Sequence, residues 1–429
     1  MPTRRQLIQK IELNSDASSV TFSNIPQNYT DLKLVYSIRN TNTNNYQTMN
    51  FNGSTSNFSQ RELQGDGSSA GSGSRTDSLI RASVVPSNFT ASTFSNTQIY
   101  IPNYTSSLYK SFNVKTIVEN NSTTGYTWMI SGLWSNTSTI SSIGITSSMA
   151  AGSSIYLYGI THVPIIRGGE VSVRDGFKYH TFKSSGSVQV VEPGNVECLV
   201  VAGGGGGGYI GAIGGGGGAG GYRSYKLSLS PQIHSIIIGS GGAGSTSSSN
   251  PTNGSNSSFN VLSTTGGGAG GSISFTATSG GSGGGGGESV TSGASGNSGS
   301  YTPVEGYAGG NGAVDAGGGG GGASEAGTNG TRNVTAGNGG NGRQWPDSSG
   351  AYYSGGGGGS LGSSTTIAGR QGGLGGGGNG GSRNLYVSAT SGLQNTGGGG
   401  GGEPNFTPLL SGGNGGSGIV IIRYPYDGN

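Results

Sequence analysis

Few residues of this chain belong to types that perform catalysis or bind metal. The three histidines, His162, His180 and His234, share no metal-ligand spacing. The single cysteine, Cys198, lies in the apolar run 198–201, which is typical of a buried core residue. The glycine runs satisfy the nucleotide-binding pattern G-x-G-x-x-G by composition alone, and no Gly-Lys-Ser/Thr completes a phosphate loop. We therefore expect no catalytic residue, no metal and no cofactor.

Residues that could bind a ligand are more numerous. Aromatic side chains among the glycine runs follow no strand periodicity, and rigid aromatic rings give a large contact area for little loss of entropy. Such rings stack on sugar rings or on protein side chains, while nearby charged residues add polar specificity. The alternative is that the rings pack as a small core at the ends of the glycine runs. The candidate contact residues are Tyr209, Tyr301, Tyr307, Arg343, Trp345, Asp347, Tyr352, Tyr353, Arg383, Tyr386 and Phe406, and the segment 344–353 is favoured among them.

Composition limits the class of protein. Of 429 residues, 94 are glycine and 13 are proline, and only 9% are charged. Typical globular chains contain about 7% glycine and about 25% charged residues. The formal net charge of +3 is not gathered into the basic cluster that phosphate binding requires, so we expect no nucleic-acid partner.

Residues 1–160 have the pattern of an antiparallel β-sandwich, jelly-roll-like in type. In the run 31–39, Leu32, Leu34, Tyr36 and Ile38 alternate with polar residues, as one buried face of a strand requires. Other short strand-like runs follow, without sustained helical periodicity. The small, polar segment 65–75 is predicted to be a long exposed loop.

Beyond this region, residues 161–176 are predicted to form a linker, and residues 177–429 a glycine-rich domain. Strand-like runs open and close this domain, and the final run, 418–424, could pair with the run 198–201. An isolated glycine run would be a disordered linker. Repeated runs between apolar strands instead favour packed polyproline-II helices, because chains without Cβ atoms can approach closely enough to hydrogen-bond to one another. The predicted fold class is therefore all-β throughout.

The C-terminal half resembles the glycine-rich domain of bacteriophage tail-fibre proteins. The similarity rests on the opening motifs 177–182, 185–191 and 198–203 and on the closing motif 415–424, and it covers roughly residues 175–425. Related tip adhesins of long tail fibres pack polyproline-II helices and bind host receptors through loops between the glycine runs. Residues 1–160 are more loosely similar to β-sandwich domains of phage virion proteins.

The resemblance implies a non-enzymatic virion protein, a tail fibre or receptor-binding adhesin that attaches to a host cell. Its partners would be other virion proteins, meaning fibre, tail or capsid subunits, together with a host surface glycan or outer-membrane protein. A homo-oligomer is expected, a trimer by analogy with fibres. Two alternatives stay open: a capsid decoration or head-fibre protein, and a polysaccharide-degrading tailspike, which needs only two carboxylates brought together by folding.

The expected location is the virion surface. No segment has the about 20 consecutive apolar residues of a membrane helix, and the positively charged first ten residues precede no apolar core. We therefore expect no signal peptide, and assembly in the host cytoplasm.

Overall fold

The computed structural model describes residues 3–76, 79–121, 125–209, 211, 213–289, 291–362, 370–405 and 411–426. In these ranges the chain forms strands and irregular segments but no α-helix, so the all-β prediction is confirmed. It contains no helix long and apolar enough to span a membrane within those ranges. The chain divides into two units, Met1–His162 and Val163–Asn429.

Within the part of the chain that the structure describes, the first unit consists of two antiparallel sheets. In chain order its strands are β1 Thr3–Glu12, β2 Ala17–Phe22, β3 Asp31–Ser37, β4 Tyr46–Phe51, β5 Phe58–Gly65, β6 Ala70–Arg75, β7 Ile80–Ser83, β8 Asn96–Ile101, β9 Lys110–Val118, β10 Tyr126–Trp134, β11 Ile143–Met149 and β12 Ser154–His162. One sheet has the order β1-β12-β3-β8-β9-β10-β5-β6, and the other has the order β2-β11-β4-β7.

This strand order is that of a jelly roll with two inserted antiparallel pairs. When β5–β6 and β9–β10 are set aside, the other eight strands form two four-stranded sheets, β1-β12-β3-β8 and β2-β11-β4-β7. Neighbours within each sheet come from distant parts of the chain, as two Greek keys require. The inserted strands extend the first sheet beyond β8.

The core of this unit is formed by side chains from both sheets. Leu32, Leu34 and Tyr36 of β3 are buried, as the period-two pattern predicts. Phe51 of the smaller sheet packs edge-on against Trp134 of the larger sheet, with ring centroids 5.6 Å apart. Burial of such apolar and aromatic surface is the main favourable contribution to the folding of this unit.

The segment 65–75 is a strand with a tight turn, and the prediction of a long loop is wrong. β6 pairs along its whole length with β5. The Asp66 carboxylate accepts hydrogen bonds from the backbone N–H groups of Ser68, at 2.9 Å, and Ser69, at 2.7 Å, which fixes the turn. Glycine and serine show no alternation of apolar and polar residues, so the sequence of β6 alone does not predict a strand. Only its partner strand, β5, has a pattern that indicates one.

In its described residues, the second unit contains two five-stranded sheets and one hairpin. Its strands are β13 Ile165–Arg167, β14 Glu170–Arg174, β15 Phe177–Phe182, β16 Gly186–Glu192, β17 Gly194–Val201, β18 Tyr222–Leu229, β19 Ile233–Ile237, β20 Ser257–Phe259, β21 Leu262–Thr264, β22 Arg343–Trp345, β23 Ala351–Tyr353 and β24 Ile419–Pro425. The sheet orders are β13-β16-β19-β20-β21 and β14-β15-β24-β17-β18, and β22 pairs with β23.

Two features of this unit bear directly on the predictions. The closing strand β24 pairs with β17, Val201 opposite Ile419, so the predicted pairing of 418–424 with 198–201 is present. The predicted linker, 161–176, includes β13 and β14, which are hydrogen-bonded to β16 and β15. Glycine and proline in that segment indicate breaks in the chain, but the short strands between them find partners in this unit.

The glycine runs form a lattice of extended chains with a three-residue repeat. In the run 203–208, successive N–H groups point to three different neighbouring segments, and the pattern then recurs, as expected of polyproline-II helices. The donor–acceptor pairs are Gly203 with Ser255, Gly204 with Gly416, Gly205 with Gly218, Gly206 with Thr252, Gly207 with Gly413 and Gly208 with Gly215, at 2.8–3.0 Å. The N–H groups of this run are therefore satisfied by neighbouring segments and not by its own residues.

Glycine is required in this lattice by the close approach of the chains. A Cβ at Gly205 would lie 2.1 Å from the carbonyl oxygen of Gly268, and a Cβ at Gly206 would lie 1.9 Å from that of Ala243. Neither glycine has a positive φ. The restriction is therefore steric exclusion by neighbouring backbone and not backbone conformation.

The lattice has two ends, which we name by what adjoins them. At the strand end, the run 203–208 continues from β17, the run 214–221 leads into β18, and hairpin β22–β23 joins two further runs. At the loop end, short loops connect neighbouring runs. Its described residues include Tyr209, Ile213, Glu288 and the segments 246–249, 272–277, 313–316, 331–335, 361–362, 382–389 and 403–405.

Candidate functional site

A row of polar side chains crosses the sheet at the strand end. Tyr179, Arg423, Glu197 and Lys226 lie opposite one another on the adjacent strands β15, β24, β17 and β18. Because side chains alternate between the two faces of a strand, all four lie on the same face. The opposite face of this sheet contributes Cys198, Val200 and Ile422 to the apolar core.

Arg423 is the centre of this row. Its Nε and Nη2 donate to one carboxylate oxygen of Glu197 at 2.7 and 2.5 Å, and its Nη1 donates to the Tyr179 hydroxyl at 3.2 Å. The guanidinium carbon lies 4.4 Å from the centre of the Phe177 ring and 5.2 Å from that of Trp345. Hydrogen bonds within the plane and aromatic faces above it hold a guanidinium in a single orientation.

Hairpin β22–β23 covers part of this face and leaves a groove beside it. Trp345 packs at right angles to Tyr179, with ring centroids 6.3 Å apart, and the Tyr222 hydroxyl donates to the Gln344 carbonyl at 3.0 Å. The groove has a volume of about 760 Å³ and is bounded by the row, by Phe177 and Asp175, and by the hairpin residues Trp345, Pro346, Asp347 and Ser349. A groove of this size can accommodate a small organic ligand.

The loop end presents a different surface. The loops contact one another: Arg383 N–H donates to the Leu361 carbonyl at 3.0 Å, and its Nε donates to the Asn405 carbonyl at 2.7 Å. Next to Arg383, Tyr386 is 79% exposed, with exposed Leu385 and Val387 on either side. Exposed apolar residues in neighbouring positions are typical of an interaction site.

The predicted contact residues therefore fall into two groups. Near the strand end lie Tyr301, Tyr307, Arg343, Trp345, Asp347, Tyr352 and Tyr353, and at the loop end lie Tyr209, Arg383 and Tyr386. A six-residue run separates the groups by roughly 20 Å at the rise of a polyproline-II helix. Phe406 lies outside the described residues.

Burial separates the candidates further. The ring of Tyr209 is fully buried, so we remove Tyr209 from the set of contact residues and assign it to packing. Trp345 is only 5% exposed and borders the groove. Tyr301 stacks on Arg223, with the guanidinium carbon 3.8 Å from its ring centre. Tyr307 and Tyr352 are exposed.

Two buried carboxyl groups lie at opposite ends of the lattice. Glu305, at the strand end, accepts a hydrogen bond from the Thr265 N–H at 2.9 Å, and burial raises its pKa. Glu403, at the loop end, accepts one from the Ala389 N–H, and burial raises the pKa of Glu403 to about 7. Both side chains are fully buried and have one oxygen without a partner among the described residues.

The strand residues of the groove were not predicted as a site. Phe177, Tyr179, Glu197, Lys226 and Arg423 belong to runs that the sequence identifies as strands. Their polar or aromatic character at alternate positions was the available signal. It could not show that strands from both ends of the domain are neighbours in one sheet.

Cys198 and His180, which could act as a nucleophile or as a metal ligand, lie outside the groove and the loop end. Cys198 is fully buried, as predicted, and burial raises the pKa of its thiol to about 12. His180 is buried on β15, where its ring contacts the Gly168 carbonyl and the Tyr424 hydroxyl. Within the described ranges, no three His, Cys, Asp or Glu side chains come together in a metal-binding arrangement.

Fold and lattice together define a glycine-rich β-protein, and comparison with known families agrees. The glycine-rich domain family matches residues 183–425, more than half of the chain, and the chain belongs to this family. No curated protein matches the chain.

Proposed function

We propose that this chain is a bacteriophage virion protein whose glycine-rich domain is an adhesin that binds the host cell surface. The main support for this proposal is the exposed surface at the loop end. There, loops joined by a lattice without side chains present Tyr386, Leu385 and Val387 to solvent. Such a scaffold lets the loops differ in sequence without disturbing the packing beneath them.

Rigidity of the lattice supports a binding role. Each glycine run is held by backbone hydrogen bonds to several other runs, so the loops leave from fixed positions. Loops that are ordered before binding lose less entropy when a receptor is bound. The ring of Tyr209, at the loop end, is buried and does not contribute to this surface.

The first unit is proposed to attach the protein to the particle or to sister subunits. On the outer face of its larger sheet, Leu63 and Met129 are 62% and 58% exposed and lie opposite each other on β5 and β10. Adjacent exposed apolar side chains of this kind are common at protein interfaces. Trimerisation by analogy with fibres remains part of the proposal, and the mass of the purified protein in solution tests it.

The adhesin proposal is tested with the full-length protein and intact candidate host cells. Wild-type protein should bind saturably, and the variant Arg383→Ala with Tyr386→Ala should lose most of this binding. Val261→Ser is the matched control, because Val261 is 80% exposed in the turn between β20 and β21, at the strand end.

Each remaining outcome points to another function. Folded protein that binds no susceptible cell contradicts the adhesin and favours a capsid decoration or head-fibre protein. Degradation of purified host polysaccharide would instead establish the tailspike alternative.

A further inference from the structure

We propose that the groove between the outer face of sheet β14-β15-β24-β17-β18 and hairpin β22–β23 binds a neutral, hydroxyl-rich glycan. The inference rests on the proposed adhesin function and names the chemical class of one ligand. It concerns the strand end, roughly 20 Å from the loops assigned to cell attachment. The groove has a volume of about 760 Å³, within the range of specific ligand pockets.

The floor of the groove offers flat surfaces that suit a sugar ring. Phe177 is the partly exposed ring of the floor, and the Arg423 guanidinium carbon lies 4.4 Å from its centre and 5.2 Å from that of the largely buried Trp345. One face of a pyranose carries C–H groups that pack on aromatic surface, and its edges carry hydroxyls. The partly exposed Phe177 ring beside polar groups matches this amphipathic shape.

Carboxylates at the rim of the groove provide hydrogen-bond acceptors for the hydroxyl groups of a glycan. Asp175 and Asp347 are exposed at the border of the groove, and their carboxylates make no hydrogen bond or ion pair within the described part of the chain. Each carboxylate can accept two hydroxyl donors, as vicinal sugar hydroxyls provide. Glu197 and Arg423 are already fixed by their mutual hydrogen bonds and need no rearrangement to meet a ligand.

The charges favour a neutral ligand over a charged one. Three carboxylates, of Asp175, Glu197 and Asp347, border the groove with two cations, Lys226 and Arg423, and a third cation, Arg174, stacks on the Tyr179 ring of the same face. A polyanionic chain would meet unpaired carboxylates at the rim, and a cationic peptide would meet the guanidinium at the centre of the floor. Hydroxyl groups can donate to the carboxylates and accept from the cations without burying a new charge.

The experiment is a titration of the full-length protein with neutral oligosaccharides of three to five units, built from glucose, galactose or mannose. A sulfated oligosaccharide of equal length is the anionic probe. Calorimetry measures binding, and tryptophan fluorescence adds a local signal because Trp345 borders the groove. We expect at least one neutral sugar to bind saturably.

Two variants decide where the sugar binds. Asp175→Ala with Asp347→Ala should weaken binding at least tenfold, whereas Arg383→Ala with Tyr386→Ala should leave it unchanged. Both aspartates are exposed, so the groove variant should fold, and its unfolding midpoint verifies this. Arg423→Lys is a second groove variant, which keeps the charge but removes the planar stack and should also weaken binding.

Three results overturn the inference: no neutral sugar binds, only the sulfated probe binds, or the groove variant retains wild-type affinity. Failure of the adhesin proposal is seen separately, in cell attachment that is absent from wild type or unaffected by the loop-end variant. The failure of one proposal can thus be distinguished from the failure of the other.

Discussion

Arg423 donates two hydrogen bonds to a single carboxylate oxygen of Glu197, although 226 residues separate them along the chain. This pair joins β24 to β17 and so closes the glycine-rich domain. In the sequence, the glycine runs of the lattice lie between Glu197 and Arg423. Their side chains are only 14% and 28% exposed, so each charge depends on the other for compensation.

Removal of one member of this pair should destabilise the protein. Arg423→Gln is expected to lower the free energy of unfolding by about 1–3 kcal/mol, because Glu197 would keep its charge with only the exposed Lys226 as partner. Denaturant unfolding measures the loss. The matched control is Lys183→Gln, which removes the exposed pair with Glu170 and should cost less than about 1 kcal/mol. Equal losses in both variants would contradict the structural role of Arg423.

Gly205→Ala should prevent correct packing of the lattice. Its Cβ would lie 2.1 Å from the Gly268 carbonyl oxygen, and backbone held by several neighbours cannot move aside. We expect a loss of at least about 3 kcal/mol in stability, or failure of the second unit to fold. Gly186→Ala is the control, since an added Cβ there has no atom within 4 Å. A normal melting temperature for Gly205→Ala would show that the runs are not closely packed.

Stability at the loop end should fall as pH rises through neutrality. The folded-state pKa of Glu403, about 7, lies above its ordinary value of 4.5, so the folded protein binds this proton more tightly than the unfolded chain does. The resulting stabilisation is fully present below about 4.5 and is lost as pH rises through about 7.

Glu403→Gln tests this prediction, because the amide cannot ionise. The variant should show a flatter dependence of the melting temperature on pH over that window than the wild type. Glu305→Gln is the comparison. Its pKa is also raised by burial, so its contribution has the same sign, but it lies at the strand end. An unchanged pH profile in Glu403→Gln would mean that the pKa of this carboxyl is the same in the folded and unfolded states.

The turn between β5 and β6 should depend on Asp66. Asp66→Ala removes the acceptor for the Ser68 and Ser69 N–H groups, so β6 should separate from β5 more often. Hydrogen exchange of the β6 amides is expected to accelerate roughly two- to thirtyfold, the range for loss of one capping interaction. Global stability should change little, because β6 is an edge strand.

Acid should produce the same local effect in the wild type. Hydrogen bonds from the backbone and hydroxyls of Ser68 and Ser69 hold the pKa of Asp66 well below its ordinary value. Its stabilising contribution is therefore present above the ordinary pKa and is lost as pH falls through the lower, folded-state value. Exchange in β6 that is unaffected by Asp66→Ala would show that strand pairing alone holds the turn.

Much of the fold follows from local patterns. The alternation in β3 and β9 determined which side chains would be buried, because successive residues of a strand face opposite sides. The glycine runs lack the side chains that an ordinary hydrophobic core requires. The final apolar run was correctly expected to pair with the run in β17. Such features depend on residue type and spacing within a few positions, which can be read from the chain.

The sites depended on contacts that the sequence does not encode locally. Arg423 and Glu197 meet because the lattice returns the chain to its starting sheet, and Asp175 and Asp347 reach the same groove from a turn and a hairpin. Tyr209 and Tyr386 have the same residue type and similar glycine-rich surroundings, yet one is buried and the other exposed. The sequence thus determined the β-class, the strands and the need for close-packed glycine. Only the tertiary structure decided which residues became neighbours and which side chains met solvent, because long-range packing and burial set both.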